Sequence, residues 1–335
     1  MPRALRLRLL WLAPPLVALA GCAGAPSALD ARGYAAARIN LLWWVMLGLG
    51  TAVFVLVTVL LLVALFRRRG EGAPPAEAER RVTNRLLGGG GVALPLVILV
   101  PLVGFTAWTS ATMTPPGQPA LTVEVIAHQF WWEVRYPDQG FITANEIVIP
   151  AGQPVELRLS TADVIHSLWV PQLNGKVDMI PGRPNAMTIQ ADHPGEYRGQ
   201  CAEFCGRQHA LMAFVVVAET PERFAAWAEA QARPAADLND PLLREGQQVF
   251  LGSACIYCHV VRGHTAENAT GAVGPDLTHL ASRRTLAAGI LPNTRGNLGG
   301  WIVDPQAIKP GNKMPGTDLD AASLQALLAY LESLE

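Results

Sequence analysis

The chain has 335 residues, half of them apolar and only 16% charged. At roughly 100 to 200 residues per domain that is too long for one compact fold, and the apolar excess over ordinary soluble domains points to membrane-spanning segments. With 26 Lys and Arg against 27 Asp and Glu the net charge is -1, so the basic surface that nucleic-acid binding requires is missing.

The N-terminus carries Arg3, Arg6 and Arg8, then an apolar stretch from Leu9 to Ala20, and closes on Leu19-Ala20-Gly21-Cys22. This order reads as a secretory signal over residues 1–21. Its last four residues resemble the lipobox of bacterial lipoproteins, which implies cleavage before Cys22 and a lipid on its thiol. Residues 22–38 would form an outer segment. No charge interrupts Ile39 to Phe66, and a helix of that length spans about 40 Å, more than a hydrocarbon core. It is the first expected transmembrane helix. Arg67, Arg68 and Arg69, with Arg80, Arg81 and Arg85, mark residues 67–85 as a cytoplasmic loop. A second span over residues 86–108 completes a two-helix transmembrane hairpin, its Gly88 to Gly91, Pro95 and Pro101 being tolerable where neighbouring helices satisfy the backbone. Trp43, Trp44 and Trp108 suit the membrane–water interfaces.

Past Pro115-Pro116-Gly117 the texture becomes β-rich over residues 119–218, with runs Leu121 to Ile126, Phe141 to Ile149, Val155 to Leu159, Ala186 to Ile189 and Ala213 to Ala218. Gly, Pro, Asn and Asp fall between them, as in an antiparallel sandwich. Residues 219–240 read as a helix (Arg223 to Gln231) and a linker. Residues 241–335 return to helical pattern, with candidate helices Leu243 to Leu251, Leu277 to Ala281, Leu298 to Val303 and Ala321 to Leu334.

Cys255-Ile256-Tyr257-Cys258-His259 matches the C-x-x-C-H signature, in which two thiols bind haem covalently and the adjacent histidine ligates iron. A redox dithiol and a zinc half-site are the competing readings, and the domain holds no second cysteine pair to complete a zinc site. Met314, the domain's only methionine, sits beside Pro315 and is the expected sixth ligand; His264 and His279 are alternatives. The domain resembles class I cytochrome c, which implies an all-α fold, one covalent haem c with His/Met ligation, and an electron carrier that does not bind oxygen.

In the β-rich domain, Cys201, Cys205, His209 and Met212 fall within twelve residues, and His166 stands upstream. Soft sulfur with imidazole suits copper. A structural disulfide would explain the cysteine pair but neither His209 nor Met212. Residues from about 30 to 225 resemble subunit II of cytochrome c oxidase, through Val164-Ile165-His166-Ser167-Leu168-Trp169-Val170-Pro171, Asp178-Met179-Ile180-Pro181-Gly182-Arg183 and Gly199-Gln200-Cys201-Ala202-Glu203-Phe204-Cys205-Gly206. The resemblance implies a cupredoxin-like Greek-key β-sandwich holding the dinuclear CuA centre. Cys201 and Cys205 would bridge the coppers, His166 and Met212 would complete one shell, and His209 with the Glu203 carbonyl oxygen the other. The Glu203 carboxylate would bind a magnesium ion shared with the catalytic subunit. Phe130, Trp131 and Trp132 occupy the family's aromatic electron path.

Two departures matter. Phe130 stands where the family's first tryptophan receives electrons from a soluble donor, which puts direct docking of that donor in doubt and favours the tethered cytochrome, whose linker holds it at millimolar effective concentration. Gly88 to Gly91 stand where many relatives carry a glutamate, so a proton role for this subunit is in doubt. The resulting expectation is a bacterial inner-membrane subunit, metal domains on the periplasmic face, taking electrons from cytochrome c or a quinol:cytochrome c reductase. It would pass them to subunit I of a proton-translocating haem-copper oxidase, alongside the other oxidase subunits. The competing readings are a CuA-containing nitric oxide reductase subunit and a metal-binding redox lipoprotein without turnover.

Overall fold

The computed structural model describes residues 26–66, 75–266 and 273–335. The expected signal, the Cys22 lipidation site and Arg67 to Arg69 lie outside the described residues. The chain divides into two units, residues 37–114 and the remainder.

Two helices, α1 (Tyr34–Phe66) and α2 (Ala76–Ala111), are long and apolar enough to cross a membrane. Helix α1 begins at Tyr34 rather than Ile39, because Arg38 need not end it. The Arg38 guanidinium donates to Thr112 Oγ1 at 2.6 Å and lies 5.3 Å from the Trp108 ring centroid. Helix α2 starts inside the expected loop, since Ala76–Arg85 is rich in strong helix formers and carries a Glu77–Arg81 pair at 2.5 Å. At the glycine run the helix widens into π turns over Leu86–Ala93 instead of breaking.

In the other unit, one sheet has the order β3-β2-β1-β5-β8, built from β1 (Leu121–His128), β2 (Trp131–Tyr136), β3 (Phe141–Ala144), β5 (Val155–Thr161) and β8 (Asn185–Ile189). The second has the order β4-β10-β9-β6-β7, from β4 (Glu146–Pro150), β6 (His166–Trp169), β7 (Val177–Met179), β9 (Gly195–Cys201) and β10 (Ala213–Glu219). Together they form the cupredoxin-like sandwich. It is mixed rather than wholly antiparallel, because β1 pairs with β5 and β10 with β4 in parallel. Alternation in β1 buries Leu121, Val123, Val125 and Ala127 against the opposite sheet. The single run expected over Phe141 to Ile149 is two strands in different sheets. Asn145, at φ 61°, turns the chain between them, and its Oδ1 accepts the Trp132 backbone N–H at 2.9 Å. The Tyr136 hydroxyl crosses from β2 to β4, donating to Val148 O at 2.9 Å and accepting from Val148 N at 2.8 Å.

The C-terminal part carries α3 (Pro221–Ala232), α4 (Pro241–Gly252), α5 (Arg295–Val303), α6 (Pro305–Ile308) and α7 (Ala321–Glu332). Asp240 caps α4 by accepting from Leu242 N at 2.7 Å, and Asp320 caps α7 by accepting from Ala322 N at 2.9 Å. Besides the helices there is a two-residue ribbon, β11 (Thr285–Leu286) with β12 (Leu291–Pro292). The helix expected over Leu277 to Ala281 does not form. Its backbone is drawn elsewhere: Leu277 N donates to Val260 O at 2.8 Å and Thr278 N to Asp276 Oδ1 at 2.8 Å. Only a 3-10 turn, Leu280–Ser282, remains.

Helices α4 and α7 approach so closely at Gly246 that an added Cβ would stand 2.0 Å from Ala326 O and 2.6 Å from Tyr330 Cβ. Gly246→Ala is therefore expected to destabilise this part of the chain by about 1–3 kcal/mol, the usual cost of overpacking. An unchanged Tm for its unfolding transition in calorimetry would contradict the close crossing.

Candidate functional site

The second sheet brings the copper-type residues together from three places. His166 opens β6, Cys201 ends β9, and the loop Ala202–Met212 leading into β10 carries Glu203, Cys205, His209 and Met212. The loop is held by backbone bonds from Cys201 N to Met212 O at 2.9 Å and from Ala202 N to Ser167 O at 3.0 Å. Cys201 Sγ lies 3.8 Å from His166 Nδ1, 3.9 Å from Cys205 Sγ and 3.2 Å from the Glu203 carbonyl oxygen. Cys205 Sγ lies 3.9 Å from His209 Nδ1 and 3.8 Å from Met212 Sδ. All six expected donors thus share one cluster. His166, Cys201, Cys205 and Met212 are buried, and His209 and Glu203 partly so. A disulfide is not formed, since both cysteines are free at a separation far beyond the roughly 2.05 Å of an S–S bond.

The electrostatics favour a cation. The Cys201 thiol is pulled down to about 3, first by its hydrogen bond with Cys205 and then by His166, against the opposing effect of burial. The Cys205 thiol is pushed up, because a thiolate beside it and burial both make a second negative charge costly. A bound metal cation removes that conflict, and thiolate, imidazole and thioether donors are those that copper takes. Sequence reasoning missed Asp163, three residues before His166. Its carboxylate accepts from His166 Nε2 at 2.9 Å, which leaves Nδ1 facing the thiols as a lone-pair donor. The Asp163–x–x–His166 spacing was the available signal.

The aromatic residues divide. Trp132 is buried, its ring centroid 6.2 Å from that of His166 and 5.0 Å from that of Phe214. Trp131 is partly exposed and stacks on His128 at 4.4 Å, while His128 Nε2 pairs with Glu133 at 3.0 Å. Phe130 is 8% exposed, its ring under Gly206. The Glu203 carboxylate belongs to no metal-type cluster among the described residues.

In the helical part, Cys255 lies within a 3-10 turn, Ala254–Tyr257, and Cys258 follows it directly; both are partly buried. His259 N donates to Cys255 O at 2.9 Å, and the His259 ring donates from Nδ1 to Pro275 O at 2.7 Å. That bond fixes the tautomer and leaves Nε2 free to ligate. Burial holds the His259 pKa below its usual value, and Arg283 adds to the effect against Pro275, so the ring stays neutral. Gly274 forms the wall of this site, and a Cβ there would meet His259 Cε1 at 2.7 Å. Met314 packs on the same apolar cluster as Cys255 and Ile256, its N–H donating to Asn312 Oδ1 at 2.7 Å and its carbonyl accepting from Gln306 at 3.0 Å. His264 and His279 have both ring nitrogens engaged by oxygen partners, Tyr330 and Ala236 for the first, Glu335 and Arg233 for the second. Neither has a nitrogen left for iron. The geometry therefore fits a haem held by Cys255, Cys258, His259 and Met314.

Comparison with known families places residues 140–219 in "Cytochrome C oxidase subunit II, periplasmic domain" and residues 243–335 in "Cytochrome c". A cytochrome c oxidase subunit 2 of Alkalihalophilus pseudofirmus is 35% identical over 95% of this chain and 94% of its own length. That of Bacillus subtilis is 32% identical over 82% of this chain and 81% of its own. A crystal structure of the periplasmic domain of subunit II of cytochrome oxidase from Bradyrhizobium japonicum matches 34% of this chain and 95% of its own at 31% identity, with a TM-score of 0.34.

Gly274→Ala should displace the His259 ring, because the added Cβ would stand 2.7 Å from its Cε1. The haem-loaded variant is expected to show altered low-spin absorption bands and a loss of about 1–3 kcal/mol in stability. Bands and Tm matching the parent would show that the wall is not where the structure puts it.

Proposed function

Because the chain belongs to the cytochrome c oxidase subunit II family, with a cytochrome c domain at its C-terminus, we propose that it is the electron-input subunit of a haem-copper oxidase. Electrons from an outer-face donor enter at a covalent haem c, move to a dinuclear copper A centre, and leave to subunit I, where oxygen is reduced to water. The family carries a copper centre, its cytochrome c domain carries haem, and its two apolar helices make it a membrane-anchored protein.

When bound, the haem and the copper pair supply one-electron storage, and the protein's residues determine where and how rigidly. His166, Cys201, Glu203 through its carbonyl, Cys205, His209 and Met212 would hold the two coppers. The observation that carries the reading is the buried pair of thiols 3.9 Å apart with an imidazole against each. Burial among β6, β9 and β10 keeps these donors in place through a change of charge. Asp163 holds the His166 ring, and Gly274 and Pro275 hold that of His259. Trp132, set edge-on to His166 and tilted against Phe214, extends an aromatic path inward from the copper ligands.

The arrangement at the membrane follows from the same reading. The copper and haem domains lie on the periplasmic face, Cys22 carries the lipid after removal of residues 1–21, and Glu203 contributes its carboxylate to a magnesium ion completed by subunit I. Cytochrome c or a quinol:cytochrome c reductase is the donor.

Purified with its complex, the chain should bind two coppers and one haem, absorb in the near infrared, and support oxygen uptake with a reduced donor. Cys205→Ser should abolish the near-infrared band and reduce oxygen uptake by at least about a hundredfold, the scale of losing an essential group, with haem content unchanged. A full copper complement without that band in the parent, or oxygen uptake retained in Cys205→Ser, would sink the proposal.

A further inference from the structure

Sandwich and cytochrome domain lie in one compact unit, and their seam runs along the copper loop. The ribbon turn between β11 and β12 presents Ala287, Ala288 and Gly289 at φ 53°, 61° and 78°. Left-handed backbone is unusual at two successive alanines, and here it accompanies three carbonyls used at the seam. Ala288 O accepts from Ala213 N at 3.0 Å, directly after Met212, and Gly289 O accepts from Arg198 at 3.4 Å. Ala287 O accepts from Lys309 Nζ at 3.0 Å, and the same Nζ donates to Phe130 O at 2.9 Å. Lys309 is 2% exposed. Burial draws its pKa down to about 7, and no carboxylate opposes that shift.

Lys309 also begins the segment that leads to Met314. Its neighbour Pro310 accepts from Gln208 in the copper loop, Gly311 lies against Arg207, and Lys313 stands 3.6 Å from Asp163, the partner of His166. A buried ammonium without a carboxylate is costly for a fold. An apolar side chain would fill the place more cheaply, but would not join the two carbonyls. A tether gives proximity alone, since it raises effective concentration without setting orientation.

We propose that Lys309 is a positioning residue: its ammonium, shared between the Phe130 and Ala287 carbonyls, latches the cytochrome domain onto the copper domain and keeps the segment from Lys309 to Met314 against the loop from Cys205 to His209. This rests on the electron route proposed above. It adds that the haem domain works from a docked pose, and that the backbone at Phe130 is claimed by the chain's own cytochrome.

The test is hydrogen–deuterium exchange on the intact complex, parent against Lys309→Met, with Lys309→Gln as a milder second variant. The Ala213 amide, bonded across the seam to Ala288 O, reports the opening of the latch. It should exchange about tenfold faster in Lys309→Met, the factor expected when a hydrogen bond from a charged donor is lost. Amides of the α4–α7 pair should be unchanged, as should the haem and copper bands at equilibrium. Electron transfer from flash-reduced haem to copper should slow. Unchanged Ala213 exchange in both variants would overturn the latch, and so would an equal rise in the α4–α7 amides, which would make Lys309 a support of the cytochrome fold. A parent complex without the near-infrared band would instead remove the electron route, so the two failures are told apart.

Discussion

Two buried thiols 3.9 Å apart constrain everything around them. Deprotonating one is easy in this setting and deprotonating both is not, unless cations share the space. The sandwich meets that demand with geometry. It ends β9 at Cys201, opens β6 at His166 two strands' width from β10, and ties the intervening loop by its backbone so that Cys205, His209 and Met212 return to the same point. Little of this depends on the loop's own preferences. Mixed pairing in the two sheets, and the turn at Asn145 that moves the chain from one sheet to the other, fix the strands that carry the ligands.

The same economy of support appears at the haem site. His259 is oriented by one backbone carbonyl and one glycine wall. Each device leaves a single ring nitrogen directed at the place where a metal would bind, as Asp163 does for His166. A histidine with both nitrogens already bonded to oxygen, such as His264 or His279, is structural for the same reason.

The seam brings the segment leading to Met314 against the loop that carries Cys205 and His209. Phe130 is covered, its carbonyl is occupied by Lys309, and the segment that ends in Met314 lies along the copper loop. Farther along the seam, Arg284 donates its backbone N–H to Glu146 at 2.6 Å and its Nε to Glu196 at 2.8 Å. Glu146 is buried, whereas the exposed Glu196 contact contributes less, because water screens it. On the proposed electron route, fusion of the cytochrome domain would do more than shorten a search; it would replace a transient docking surface with an internal one.

The sequence by itself determined the chemistry: the two-cysteine copper pattern, the C-x-x-C-H motif, Met314 in its proline-bounded loop and two apolar spans are all local in the chain, so spacing and residue type carry them. It also located most of the helices, whose period and caps are local as well. What escaped it was non-local. Strands β2, β6, β7 and β9 are short or interrupted by polar residues, and only pairing with distant strands holds them extended. The segment Leu277 to Ala281 has helical residues but gives its hydrogen bonds to Val260 and Asp276. Asp163, Gly274 and Lys309 have no signature of their own. Each matters through a partner in space, an imidazole or a carbonyl that only the folded chain brings within reach, and tertiary structure alone decided their parts.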